Sequence, residues 1–574
     1  MQNKNLKKYI RKLIFTFILI LIVLSFFIHP VKNIEKTGNY DSIYNKDNKY
    51  GLYLSSFRAE IMGDYLNLNN IYSEAVSQNK RDFLGKSFII NAIQNNEKEA
   101  IIDAENEIKQ NPSNIIPSIY LSYIDFKNGN YQKSLDRLNS IKNKSDTFIV
   151  KILKSWVLLT LEKNDDALDL LETEINNPAF ENIVLINLGI MAELSGDDEY
   201  AEELYEEALT TKLNLFDIET IANFYIKHNR KQKAIDVVSD YYKKSQGSIS
   251  SLSLLESLQN NTYTPYYIDT PQKAMAKSLF DISTIIITVF PSSLDLYLMY
   301  LNMVLDLDSN LYMASLMKAE VYKKYNKVDE YKTIVKSIPE TSYLNLINKV
   351  NYAQYLLTQP KSIEEALTLY DELIKSNPAI LQLYINVGDY YKNDKKFNTA
   401  INYYTKGIEQ KINNNTLNAE LYFARAQIYD ILKNKEMTEK DLEKSIVLNS
   451  KNPVVLNYYA YFLLLNNIDY EKAFKLSEQV IAYDPLNPYY LDTYGWAFFK
   501  LGKIDDALKM LEYAKAIQPK NSVIIDHLGD IYWSLGRKQE AKYEWKKALK
   551  NLDTTQNQDE LNAIKLNNKI NYGI

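Results

Sequence analysis

The side chains from which most protein chemistry is built are used sparingly in this 574-residue chain. There is no cysteine, which excludes disulfides, thiolate zinc sites, a cysteine nucleophile and a lipid-modified cysteine anchor. The three histidines, His29, His228 and His527, lie far apart in sequence, whereas metal sites draw on clustered ligands. They read as unrelated surface or packing residues, and neither a metal nor another cofactor is expected. Paired carboxylates at Asp165-Asp166, Asp197-Asp198 and Asp505-Asp506 have the makings of an acid/base couple. Each pair, however, falls just before an apolar-periodic segment, where a helix N-terminus favours negative charge, so capping is the better account. No phosphate-binding G-x-x-x-x-G-K-[ST], no H-E-x-x-H and no G-x-S-x-G occurs. The expectation is a protein without catalytic residues.

What remains is architecture. The composition, 46% hydrophobic and 24% charged with only 15 glycines and 14 prolines, is that of a folded, turn-poor, all-α chain. Its length exceeds what one conventional core supports, unless the fold grows in one dimension as a repeat array. A net charge of −5 over 67 basic and 72 acidic residues is a mixed surface. That balance argues against a nucleic-acid partner held by counterion release.

The N-terminus carries Lys4, Lys7, Lys8, Arg11 and Lys12, then an uncharged run from Leu13 to Ile28. As a helix that run spans about 24 Å, a little short of a roughly 30 Å hydrocarbon core. His29-Pro30-Val31-Lys32 offers no small-x-small cleavage site, which favours an uncleaved signal-anchor over a signal peptide. The basic residues should stay cytoplasmic and everything beyond residue 30 should be exported. The expected location is the inner membrane, single-pass, with the remainder periplasmic, or free in the periplasm if the segment is cleaved.

Sliding the stretch Tyr490–Pro519 forward by 34 residues places Gly495 on Gly529, Ala507 on Ala541, Leu511 on Trp545 and Ala514 on Ala548. The same small-residue spacing of twelve and seven recurs in Gly388/Ala400/Gly407, Ala426/Thr438/Ser445 and Gly189/Ala201/Ala208. With one extra residue it recurs in Ala353/Ala366 and Ala460/Ala473, and weaker copies begin at Ser56, Ser87, Ser122, Ser155 and Ala222. This pattern resembles the tetratricopeptide repeat (TPR), in which a small residue on helix A lets helix B approach. The expected fold is an all-α TPR superhelix of about twelve helix pairs, with one N-terminal transmembrane helix.

The expected organisation is a basic segment (1–12), the anchor (13–31), a linker (32–49) and an N-terminal array (50–244). Divergent helices and an interruption (245–345), a C-terminal array (346–550) and a polar capping helix with a loose tail (551–574) follow. Within the interruption, the stretch from Pro271 reads as a helix pair whose second part, Ile282 to Phe290, is a buried packing helix.

The C-terminal block further resembles exported TPR proteins of alphaproteobacteria and related TPR lipoprotein adaptors of carboxyl-terminal processing proteases. The shared features are D-x-x-G-W at Trp496, D-H-L-G-D at Asp526–Asp530 and the Arg-x-x-Glu-Ala that leads to Trp545. The resemblance implies a non-enzymatic scaffold that binds proteins or peptides, an envelope protease or cell-wall hydrolase among them. A polysaccharide-export or cell-wall synthesis component is the alternative. The chain departs from the adaptors in lacking their cysteine anchor.

TPR arrays meet ligands through positions 2, 5, 9, 12 and 13 of helix A. Carried onto this chain, the candidates are Tyr461 and Leu464, then Tyr489, Asp492, Trp496, Phe499 and Lys500, then Asp526, Asp530 and Trp533. Aromatic anchors beside carboxylates suit an extended peptide or partner helix. Trp496, Phe499 and Trp533 should then share one concave surface with Tyr461.

Overall fold

A computed structural model describes residues 49–77, 83–141, 147–245, 248–552 and 561–574. All of their regular structure is helical, in thirty helices. The expected anchor, residues 13–31, lies outside the described residues, as do the basic segment and most of the linker. Among the described residues no helix is long and apolar enough to cross a membrane.

The chain divides into two compact units, residues 1–110 and 111–574. The first contains the helices Lys49–Met62, Tyr65–Ser77, Leu84–Ile93 and Glu97–Gln110. Its second pair is held in part by a buried polar contact. Ser87 Oγ donates to Asp103 Oδ2 at 2.6 Å and Asn91 Nδ2 to the same oxygen at 3.0 Å. Burial raises the Asp103 pKa against these two hydrogen bonds.

In the second unit short turns join helices into pairs. The small residue on helix A governs the packing. A methyl group on Gly189 or Gly388 would overlap the ring of Tyr205 or Tyr404, and one on Gly495 or Gly529 would overlap Leu511 or Trp545. In every case the obstructing side chain is sixteen residues further on, so the spacing seen in the sequence is the footprint of helix B on helix A. The turn between the two helices also repeats. The residue seven after the small one takes a left-handed conformation: Gly502 and Gly536 do so at φ 76° and 77°, Lys395 and Lys433 at 58° and 61°. Glycine takes that conformation freely, whereas an L side chain pays for it.

Where a side chain caps a helix start, it is most often an asparagine. Asn214, Asn452, Asn487 and Asn521 each accept backbone N–H groups of the following turn. Of the three acidic pairs, Asp197 is a true cap, accepting from Tyr200 N at 3.0 Å. The others, Asp165-Asp166 and Asp505-Asp506, sit within the first turn, where they act on the helix dipole without a side-chain cap bond.

Counting both units, the described residues form fourteen helix pairs and two single helices, Ile249–Gln259 and Ala563–Tyr572. The interruption is built differently from expectation. Pro271–Val289 is one continuous 19-residue helix, paired with Leu294–Leu307. Its end is not buried, since Val289 and Phe290 are exposed. Its middle crosses the first helices of earlier pairs, Phe148–Thr160 and Glu181–Ser195. The segment before it, residues 262–269, has no regular secondary structure.

Candidate functional site

The inner face of the C-terminal pairs is formed by the helices Pro453–Asn466, Pro488–Lys500 and Ser522–Ser534. Trp496 anchors an aromatic group on it. Its ring stacks on the His527 imidazole at 4.0 Å and 12°, and on Phe499 at 4.9 Å. The Tyr461 ring lies 6.2 Å from that imidazole. Asp492 Oδ1 is 2.9 Å from His527 Nδ1, which fixes the ring, and the Lys500 ammonium sits 5.3 Å from the Trp496 ring. A cleft of about 310 Å³ opens beside this group, lined by Asn457, Tyr461, Tyr489, Asp492, Asn521 and Val523. Tyr489 is exposed, Trp496 is 9% exposed, and the Asn457 side-chain oxygen is buried with no hydrogen-bond partner. Six of the ten candidate residues, Tyr461, Tyr489, Asp492, Trp496, Phe499 and Lys500, therefore belong to one neighbourhood.

Asp530 and Trp533 meet helix B of the last pair and the chain's own final helix. Trp545 Nε1 donates to Asp530 Oδ1 at 3.0 Å, and the Trp533 ring lies 5.4 Å from that of Trp545. Above them sits the final helix, Ala563–Tyr572: Lys569 Nζ reaches Asp530, and a methyl group on Gly573 would overlap Trp533. The expected single surface thus divides between an open cleft and a patch covered by the chain itself. The tail had been read as a polar cap with a loose end, and its lysine was not connected with the aspartates.

The same inner-face positions in the pairs between residues 115 and 244 are also occupied, and here the sequence reading was silent. Tyr123 and Lys127, positions 9 and 13 of their pair, both reach Asp306 on the Leu294–Leu307 helix, Lys127 at 2.8 Å. Trp156, at position 9, is fully buried and donates Nε1 to Asn187 Oδ1 at 3.0 Å. Ser278 Oγ donates to that same oxygen at 2.7 Å, and Asn187 Nδ2 donates to Asp281 at 3.2 Å. Lys277, with no exposed surface, lies between Asp217 at 3.0 Å and Asp281 at 2.6 Å. Burial works against its charge, but the two carboxylates outweigh it and raise the Lys277 pKa.

One pair further on, the irregular segment 262–269 is held as a peptide would be. Asn223 Nδ2, at position 9, donates to the Tyr266 carbonyl at 2.7 Å. The Tyr263 hydroxyl lies 2.8 Å from both Glu219 Oε1, at position 5, and Asn223 Oδ1. Phe216, at position 2, packs its ring 6.0 Å from Tyr266. Tyr343 donates to the second Glu219 oxygen at 2.7 Å. Burial pushes the Glu219 carboxyl up to about 7, against the pull of the two tyrosine hydroxyls. The sequence signal was present in Glu219 and Asn223 at ligand positions, beside a tyrosine-rich run that had been read only as an interruption.

Two family models match the chain. The one described as a tetratricopeptide repeat covers residues 381–411 and 419–452, two pairs of the C-terminal array. The other, described as the Psidin N-terminal TPR repeats region, covers residues 118–248. The chain is a tetratricopeptide repeat protein. In TPR terms the open cleft and the filled groove are the same surface in different repeats. No curated protein matches the chain. Solved structures similar to it include the Cut9–Hcn1 hetero-tetramer of the APC/C, at 16% identity and a TM-score of 0.34, covering 91% of this chain and 99% of that one. A TPR protein from Parabacteroides merdae is 17% identical at a TM-score of 0.32, covering 45% and 97%. YrrB, described as a TPR protein with an unusual peptide-binding site, is 16% identical at a TM-score of 0.28, covering 34% and 97%. TPR repeats serve protein–protein interaction, and both matched models describe repeats and no enzyme.

Proposed function

We propose that this TPR protein is a non-enzymatic, membrane-tethered scaffold of the bacterial envelope, whose C-terminal repeats hold an extended peptide or helix of a partner protein. The observation that carries the binding reading is the contrast at position 9 of helix A. Trp156 is sealed under the chain's own helix, whereas Trp496 stacks on His527, whose partner Asp492 lines an open cleft together with Tyr461 and the exposed Tyr489. Large aromatics at the edge of a desolvated cleft are the usual anchors of an interface. Tethering is supported by the five basic residues and the uncharged run Leu13–Ile28. An adaptor for envelope assembly or proteolysis is the specific role we favour, on the resemblance of the last hundred residues.

The test uses a photo-crosslinking amino acid placed in the full chain in cells. At position 489 it should give discrete protein adducts in the envelope fraction, and at position 156 none. Equal labelling at both sites, or no adduct at 489, would refute the open cleft as the docking site. A reporter fused after residue 574 should be active only in its exported form, and activity of a cytoplasm-only reporter would overturn the envelope assignment.

A further inference from the structure

The last repeat presents aspartates at both position 5 and position 9 of its helix A. Lys569 Nζ reaches all four of their oxygens, Asp526 at 2.9 and 2.8 Å and Asp530 at 2.8 and 2.8 Å. Both carboxylates are nearly buried, and Asp530 also accepts from Trp545. Burial first, and then the neighbouring Asp526, raise the Asp530 pKa, against the attraction of Lys569. One ammonium thus faces two carboxylates, with Asp492 one repeat away already held by His527. Two buried carboxylates stay charged together only beside a cation, since otherwise one of them takes up a proton. Whatever replaces Lys569 and keeps both charged must bring a cation.

The helix that carries Lys569 is held at few points. Leu566 is its fully buried side chain, with Ile570 packed partly against the same core. Gly573 fits over Trp533 where a side chain would collide, while Ile564 and Tyr572 are exposed. Recognition therefore comes down to an apolar residue, a lysine three positions later and a glycine four beyond that, on one face of a short helix. Lys277 in the earlier groove makes the same two-carboxylate arrangement, but with no exposed surface and within a 19-residue helix.

We propose that the terminal TPR groove is a docking site for a lysine-bearing amphipathic helix of a partner protein, and that the chain's own helix Ala563–Tyr572 is the resident competitor for it. Attachment to the same chain gives the resident helix a high effective concentration, so it holds the site until a partner with better contacts displaces it. The proposal deepens the scaffold reading by naming a partner chemistry for the last repeat. It stands apart from the Trp496 cleft: peptide binding here with no adduct at position 489 would count against that cleft alone.

The probe is a labelled synthetic peptide of the sequence 561–574, titrated against the full chain. The Lys569→Ala full chain, its resident helix weakened, should bind this peptide at least tenfold more tightly than a peptide carrying the same substitution. Adding Asp526→Asn to that chain should erase the difference, and raised salt should reduce it. Equal affinity for both peptides, or no binding of either, overturns the proposal. Hydrogen exchange on the unmodified protein gives an independent reading. Amides of residues 563–572 should exchange at least tenfold faster than those of Lys538–Lys550, because the helix opens locally. Exchange of both at one common rate would make the helix a fixed part of the fold and overturn the proposal.

Discussion

Trp156 and Trp496 occupy the same position in two repeats of one chain, and their surroundings differ in almost every respect. The first has its indole N–H bonded to Asn187 and is covered by Pro271–Val289. The second lies against His527 and Phe499, and His527 is held by Asp492, which lines an open cleft. The repeat supplies a groove with aromatic and polar side chains at fixed positions. Whether that groove is interior or interface depends on what the rest of the chain lays into it. Position 9 is thus neither a packing position nor a binding position by itself.

The sharpest way to break this comparison is to unsettle the filled half. Lys277→Ala leaves Asp217 and Asp281 buried without their cation, and stability should fall by about 3–5 kcal/mol. Denaturant unfolding monitored by circular dichroism measures it. A loss under about 1 kcal/mol would mean that the inserted helix is not seated as described. Trp156→Ala should belong to the same class, at about 3–5 kcal/mol, as a cavity in a closed core.

The filled groove should also weaken with rising pH. Glu219 has a folded-state pKa of about 7 against an ordinary 4.5, so between those values the folded protein holds a proton that the unfolded chain has released. The stability this group contributes is fully present below about pH 4.5 and is lost as pH rises through about 7. The change is of order 3 kcal/mol. Unfolding midpoints for the wild type and Glu219→Gln at pH 5 and pH 7.5 isolate the effect. The wild type should lose more stability than the variant across that window, and parallel curves would refute the assignment.

In the open half the expected effects move from stability to binding. Trp496→Ala should cost a bound partner about 2 kcal/mol or more. Its melting temperature should fall less than that of Trp156→Ala. A deeper loss for Trp496→Ala would make Trp496 core and collapse the distinction. The smallest effect concerns the turn. Lys395→Gly relieves a left-handed lysine and should change stability by no more than about 1 kcal/mol in the favourable direction. A clear destabilisation would show that the lysine does more there than bridge two helices.

The repeat itself was legible because its cause is local. Gly388 and Tyr404, or Gly529 and Trp545, are sixteen residues apart in contiguous helices, and their complementary sizes leave a pattern that survives divergence. The neighbourhood of Tyr461, Tyr489, Asp492, Trp496 and Phe499 was legible for the same reason, since each is placed by its distance from a small residue. The filling of the groove was not. Lys277 meets Asp217 across 60 residues and Tyr343 meets Glu219 across 124. No local periodicity encodes which helix crosses which. The cover over Asp530 and Trp533 was likewise not legible, because Lys569 lies 39 residues beyond Asp530, outside the repeat spacing.

The bond between Lys127 and Asp306 spans 179 residues, and the Tyr123–Asp306 bond spans 183. A chain made from its N-terminus onwards therefore presents Tyr123, Trp156, Glu219 and Asn223 as an empty groove until residues 263–306 have emerged. Domains fold as they are synthesised, at roughly 5–20 residues per second, so this vacancy lasts for several seconds at least. For that interval the early repeats are a competent peptide receptor with no ligand of their own. Their first encounter with a tyrosine-bearing extended segment is a race between the nascent chain and whatever surrounds it.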